Sequence, residues 1–110
     1  MNISARITEE MAAMPNLDGS KVRLGQVEAA IRLIDEGNTI PFIARYRKEA
    51  TGSLNDEQLR FLGERLTALQ NLEDKKQQVL SAIEEQGKLT EELRQRIEAA
   101  MTQVAVEDLY

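Results

Sequence analysis

The stretch NDEQLRFLGERLTALQNLEDKKQQVLSAIEEQG, residues 55–87, decides the fold. Leu59, Leu62, Leu66 and Leu69 recur at spacings of three, four and three, the signature of one buried helical face. Leu72, Val79, Leu80 and Ile83 continue that face after a polar break at Glu73 to Gln78. Asn55 is placed to cap the helix, with Gln58 three residues on as in a capping box. No proline interrupts the run before Gly87, which ends it. About 30 residues at 1.5 Å each give a helix of ~45 Å. A helix that long overhangs a domain of this size, so part of it is expected to pack on something else.

Shorter helices are predicted around it. Ile3, Ile7, Met11 and Met14 lie on one face of a helix over 3–14, which Pro15 ends. A turn-rich loop fills 15–21. Leu24, Val27, Ile31 and Ile34 form the stripe of a second helix over 22–36, with Gly37 as its stop. Pro41 starts a third, where its missing N–H costs nothing, and the helix runs to Glu49 and breaks at Gly52. Thr90 caps a fifth, whose inner face is Leu93, Ile97 and Met101. The tail from Val104 to Tyr110 is apolar. No strand pattern and no internal repeat interrupts this series. The fold expected is all-α: a multi-helix bundle with one long central helix and a helix-turn-helix-like segment, forming a single domain over 1–110.

Composition narrows the chemistry. The chain has 110 residues, 42% apolar and 30% charged, with net charge −5. It contains no Cys and no His, which removes thiolate zinc sites, Fe–S clusters and His-based acid–base catalysis. No cofactor and no metal are expected. Acidic neighbours such as Glu84-Glu85 and Glu91-Glu92 point about 100° apart on a helix and share no site. Asn16-Leu17-Asp18-Gly19 fails as a calcium loop, because Met14 and Gly25 stand where carboxylates are required. Gly87-Lys88 fails as a P-loop, because Leu89 and Ala82 replace the needed hydroxyl residue and glycine. Ser4, Ser20, Ser53 and Ser81 have no His to activate them. A stand-alone enzyme is therefore not expected. The N-terminus carries no apolar signal region and no apolar run approaches the ~20 residues of a membrane span, so a cytoplasmic location is expected.

Charge is uneven. Residues 38–52 carry +2, whereas 1–37, 53–86 and 87–110 carry −2, −3 and −2. On a helical wheel Phe42, Tyr46, Ala50 and Ile43 fall within about a 100° arc, a packing face, and Pro41, Phe42, Ile43 and Tyr46 are the expected core anchors. Arg45 and Lys48 lie on the opposite side, with Arg47 near the border. A helix, a glycine turn and a second helix with outward cations is the outline of a helix-turn-helix. Leu33 departs from it, since a small residue is usual four positions before the turn glycine. Arg45, Arg47 and Lys48 are thus candidate phosphate contacts; pairing with carboxylates of a neighbouring domain and a merely solvated face are the alternatives.

Ile40-Pro41-Phe42-Ile43-Ala44-Arg45-Tyr46-Arg47-Lys48-Glu49, followed by Thr51-Gly52, resembles the signature of the Tex family of bacterial transcription accessory proteins. Ile83-Glu84-Glu85-Gln86-Gly87-Lys88-Leu89-Thr90 and Glu107-Asp108-Leu109-Tyr110 match the same family, and the resemblance covers nearly the whole chain. The loop from Pro15 to Leu24 is longer than the family pattern. The resemblance implies a large cytoplasmic nucleic-acid-binding protein whose helical N-terminal region precedes RNase H-like, helix-hairpin-helix and S1 domains. On that reading residues 1–110 are a fragment, with the downstream domains of the same chain, nucleic acid bound weakly, and the transcription machinery as partners. The rival reading is a structural scaffold between domains that touches no nucleic acid.

Overall fold

A computed structural model describes residues 2–110. Among them the elements run α1 (Ile3–Ala12), two single 3-10 turns (Pro15–Leu17 and Gly19–Lys21), α2 (Leu24–Asp35), α3 (Ile40–Tyr46), α4 (Lys48–Thr51), α5 (Asp56–Glu85), α6 (Glu91–Ala99) and α7 (Gln103–Leu109). The described residues are helical with no strand, an all-α bundle. They form two compact units, one over residues 2–67 and one over 68–110, and α5 contributes to both.

In the first unit α1 packs on α2, and α2 packs in turn on α3 and α4. Ile7, Met11, Val27, Ala30, Ile43, Leu59 and Leu62 are fully buried. The start of α5 is fixed by a reciprocal cap. The Gln58 N–H donates to Asn55 Oδ1 at 2.8 Å, and the Asn55 N–H donates to Gln58 Oε1 at 2.9 Å. The Gln58 amide Nε2 also donates to the Leu17 carbonyl at 2.8 Å, tying the first 3-10 turn to α5. Gly19 lies so close to α1 that a Cβ there would fall 1.5 Å from the Met11 carbonyl oxygen.

Glu10 on α1 and Arg65 on α5 clamp this unit. Arg65 Nη2 donates to Glu10 Oε2 at 2.9 Å while its Nε donates to the other carboxylate oxygen, and Arg6 Nε adds a third donor at 2.9 Å. The Arg65 hydrogen bond, partly opposed by burial, holds the Glu10 carboxyl below its ordinary pKa; Arg6 adds to it. The Arg65 guanidinium is raised in return, chiefly by its hydrogen bond to Glu10.

In the second unit Leu69, Leu72, Val79, Leu80, Ile83, Ile97 and Val106 are buried, and α6 packs on α7. The polar break in the α5 stripe is filled by Lys76, whose side chain is 2% exposed. Its Nζ donates to the Glu98 carbonyl at 2.7 Å and approaches Glu73 Oε1 at 3.4 Å. A cation thus meets the unpaired carbonyls that end α6.

Several expectations are corrected. α1 stops at Ala12, not Met14, and α2 starts at Leu24, not Val22. The α2 stripe is rotated: Val27 and Ala30 are buried, while Leu24 is 41% exposed. Met101 is exposed because α6 ends at Ala99 and Ala100 turns extended. The apolar tail is itself a helix, α7, capped by Thr102 Oγ1 accepting the Ala105 N–H at 3.1 Å.

Candidate nucleic-acid interface

The cationic segment is positioned at both ends. After α2, Gly37 adopts φ +97° and Asn38 Nδ2 donates to the Leu33 carbonyl at 2.8 Å. Thr39 Oγ1 then caps α3 by accepting the Phe42 N–H at 3.3 Å. Ile40 packs where Gly63 leaves room on α5; a Cβ on Gly63 would sit 2.8 Å from Ile40 Cδ1. At the far end Gln26 of α2 donates through Nε2 to the Thr51 and Gly52 carbonyls, at 3.1 and 3.0 Å. Its Oε1 accepts the Arg23 N–H at 2.9 Å, so one amide caps α2 and holds the end of α4. Gly52, at φ +64°, has the left-handed turn that glycine tolerates best.

Between these anchors the helix breaks. Arg47 has φ −126° and ψ 29°, which separates α3 from α4. The reason is legible in the register. At ~100° per residue, position 47 of an unbroken helix falls between the directions of Ile40 and Ile43, straight into the core. Burying an unpaired guanidinium there is prohibitive. The backbone departs from helix at that residue, and Arg47 swings out. Its Nη1 donates to the Tyr46 carbonyl at 3.1 Å, and its Cζ lies 4.9 Å from the Phe42 ring centroid.

This register corrects two of the four expected core anchors, Pro41 and Tyr46. Ile43 is fully buried, Phe42 is half-buried, Pro41 is exposed and Tyr46 is 59% exposed. The inward direction is set by Ile40 and Ile43, and Tyr46 lies about 100° away from it. The packing arc drawn from the sequence assumed a helix continuous to Glu49, which the Arg47 break contradicts.

The outcome is an exposed aromatic and cationic surface. Arg45, Arg47 and Lys48 are all exposed. Among the described residues none of the three forms an ion pair, and neither do Lys21, Arg23, Arg32, Arg60 and Lys88; what sets the three apart is that they stand within four residues of one another beside two aromatic rings. Phe42 and Tyr46 lie 5.2 Å apart between centroids, tilted by 51°, and Arg45 Cζ is 6.0 Å from the Tyr46 ring. An open cleft of about 540 Å³ beside α3 is lined by Phe42, Arg45, Tyr46 and Lys48, and by Asp56 from the start of α5. Asp56 and the outward ring of Tyr46 were not singled out from the sequence. Asp56 reaches the cleft only through the tertiary fold, while Tyr46 could have been placed by noticing that Arg47 cannot continue the helix. Such a surface can offer phosphate contacts through Arg45 and Lys48 and a flat ring for stacking. Among the described residues no cluster of three or more carboxylates is arranged to hold a metal, and no helix is long and apolar enough to cross a membrane.

Comparison with known proteins agrees with the segment's sequence. The chain is 53% identical over all 110 residues to the transcriptional accessory protein Tex of Neisseria gonorrhoeae, of which it spans 13%. It is 56% identical to protein YhgF of Escherichia coli over 90 residues, covering 82% of this chain and 12% of that protein. It is 39% identical over 61 residues to human S1 RNA-binding domain-containing protein 1, covering 56% of this chain and 6% of the human one. The chain therefore spans about an eighth of the length of the two bacterial relatives. The profile of the Tex-like protein N-terminal domain matches residues 2–84, from α1 through nearly all of α5, and the chain belongs to that family.

Proposed function

We propose that this chain is the helical N-terminal module of a transcription accessory protein of the cytoplasm, and that it makes a weak nucleic-acid contact through Arg45, Arg47 and Lys48. The contact is a non-catalytic one, made in support of the downstream domains of the longer chain and of the transcription machinery. The observation that carries the reading is the grouping of three exposed cations, none ion-paired among the described residues, beside an exposed Tyr46, in a chain of net charge −5. Cations left unpaired amid nineteen carboxylates are available to an external anion. The relatives' names, transcriptional accessory protein and S1 RNA-binding domain-containing protein, support the same direction. In this outline α2, the Gly37 turn and α3 correspond to the helix-turn-helix-like segment.

Arg45 and Lys48 are the phosphate contacts. Arg47 is partly committed to Phe42 and the Tyr46 carbonyl. So few contacts, opposed by surrounding carboxylates, give a Kd above ~10⁻⁴ M near physiological salt. Fluorescence anisotropy with labelled RNA and DNA tests this. Low-salt binding should vanish in an Arg45→Glu, Lys48→Glu variant; binding that survives it would place the contact elsewhere.

A second reading, a scaffold that organises domains without touching nucleic acid, is favoured by one observation. Residues 68–110 expose Met101, Val104 and Tyr110, the last two by 65% and 64%. Absence of binding at low salt would favour that role.

A further inference from the structure

Phosphate contact leaves one wall of the cleft beside α3 without a use. Asp56, exposed at the first position of α5, lines the same cleft as Phe42, Arg45, Tyr46 and Lys48. Its carboxylate forms no ion pair with either cation, so both signs of charge stand open in one recess with an aromatic surface. At the start of α5 its charge favours the helix dipole, but it takes no part in the cap, which Asn55 and Gln58 supply, so its oxygens remain open to a ligand.

A ligand that satisfies all the walls needs an anionic group for Arg45 and Lys48, a flat face for Tyr46, and adjacent N–H donors for Asp56. A nucleotide supplies the first two with any base, because stacking is tolerant of sequence. The third requirement discriminates. An ionised carboxylate is an acceptor only, with two oxygens that take paired donors. Guanine presents two neighbouring donors, N1–H and the N2 amine, on its Watson–Crick edge. Adenine, cytosine and uracil each present there at most one donor flanked by acceptors, which a carboxylate repels. The edge is free only when guanine is unpaired.

We infer that this cleft selects guanine in an unpaired strand, with Asp56 reading the base edge, Tyr46 stacking on the ring and Arg45 and Lys48 holding the phosphates. The inference rests on the nucleic-acid contact proposed above and adds a base preference to it. Because the site is open to water, the discrimination lies at the low end for a bidentate base contact, about 5- to 10-fold.

The test uses the chain as it stands, with fluorescein-labelled short RNA strands of uridine carrying a central pair of G, A, C or U, at low salt. The G strand should bind about 5- to 10-fold more tightly than the other three. Asp56→Asn and Asp56→Ala should each bring all four within about twofold without weakening the uridine strand, since a negative charge is removed. Tyr46→Ala should weaken all four alike. Equal affinities in the unmodified chain, with loss of binding in Arg45→Glu, Lys48→Glu, would overturn guanine selection and leave the phosphate contact standing. A preference for G that survives both Asp56 variants would overturn the role of Asp56. No binding, or binding indifferent to the double reversal, would overturn both readings. Displacement of every strand by polyglutamate as readily as by RNA would assign the surface to acidic peptides instead.

Discussion

Replacing Ile43 by alanine should destabilise the chain far more than replacing Tyr46 three residues on. Ile43 is fully buried, and the change removes three carbons. At ~0.8 kcal/mol per buried methylene the transfer loss is about 2.4 kcal/mol. Residual cavity adds about 1–2 kcal/mol, giving a total near 4 kcal/mol, inside the range for such truncations. A chain of this length has about 5–15 kcal/mol in all, so the loss is a large share. Tyr46 is 59% exposed and contributes a tilted ring contact with Phe42, so Tyr46→Ala should cost no more than about 1 kcal/mol. Urea melts followed by far-ultraviolet circular dichroism read both. The Ile43 variant should lower the midpoint strongly at unchanged slope, and its Tm should fall by roughly 10–20 °C. Equal losses, or a larger loss at Tyr46, would refute the register in which Ile40 and Ile43 face the core and Arg47 breaks the helix.

Two other perturbations probe the units separately. Glu10 and Arg65 should show a coupling of about 1 kcal/mol in a double-mutant cycle of urea melts at neutral pH, the upper end for a partly exposed pair. Glu10 has its folded pKa lowered, so its stabilisation is present above the unfolded carboxylate pKa and is lost as pH falls through the folded one. The coupling should therefore fade below about pH 4, and a coupling that grows on acidification would contradict the clamp. In the second unit, Lys76→Met keeps the buried stem but leaves the Glu98 carbonyl without its donor, and should cost about 1–3 kcal/mol in the same melts; a neutral or stabilising result would show the buried cation to be dispensable.

The central helix was legible because its leucines keep one period and Asn55 and Gln58 are a reciprocal pair. Local signals of that kind survive into the fold, as the Thr90 hydroxyl accepting the Leu93 N–H at 3.1 Å also shows. What escaped depends on contacts distant in sequence or on costs that a wheel does not display. Lys76 falls in a polar run that reads as solvent-facing, yet the end of α6 supplies its acceptor. Glu10 and Arg65 are 55 residues apart. α7 is short and has no acidic residue in its first turn, so Thr102 alone marked its start. At the candidate site the cations could be placed from composition, because 38–52 is the one positive segment. The outward ring of Tyr46 needed one more step, seeing that Arg47 cannot continue the helix, and the approach of Asp56 was not legible at all, since it follows from packing α5 beside α3.

The salt dependence of binding tests the proposed contact most directly. With Arg45 and Lys48 and a partly committed Arg47, anisotropy titrations should give a log–log slope of about −2 to −3 against salt, and neutralising Arg45 or Lys48 singly to Gln should each reduce it by about one. A slope left unchanged by both substitutions would contradict the assignment of the contact to this segment.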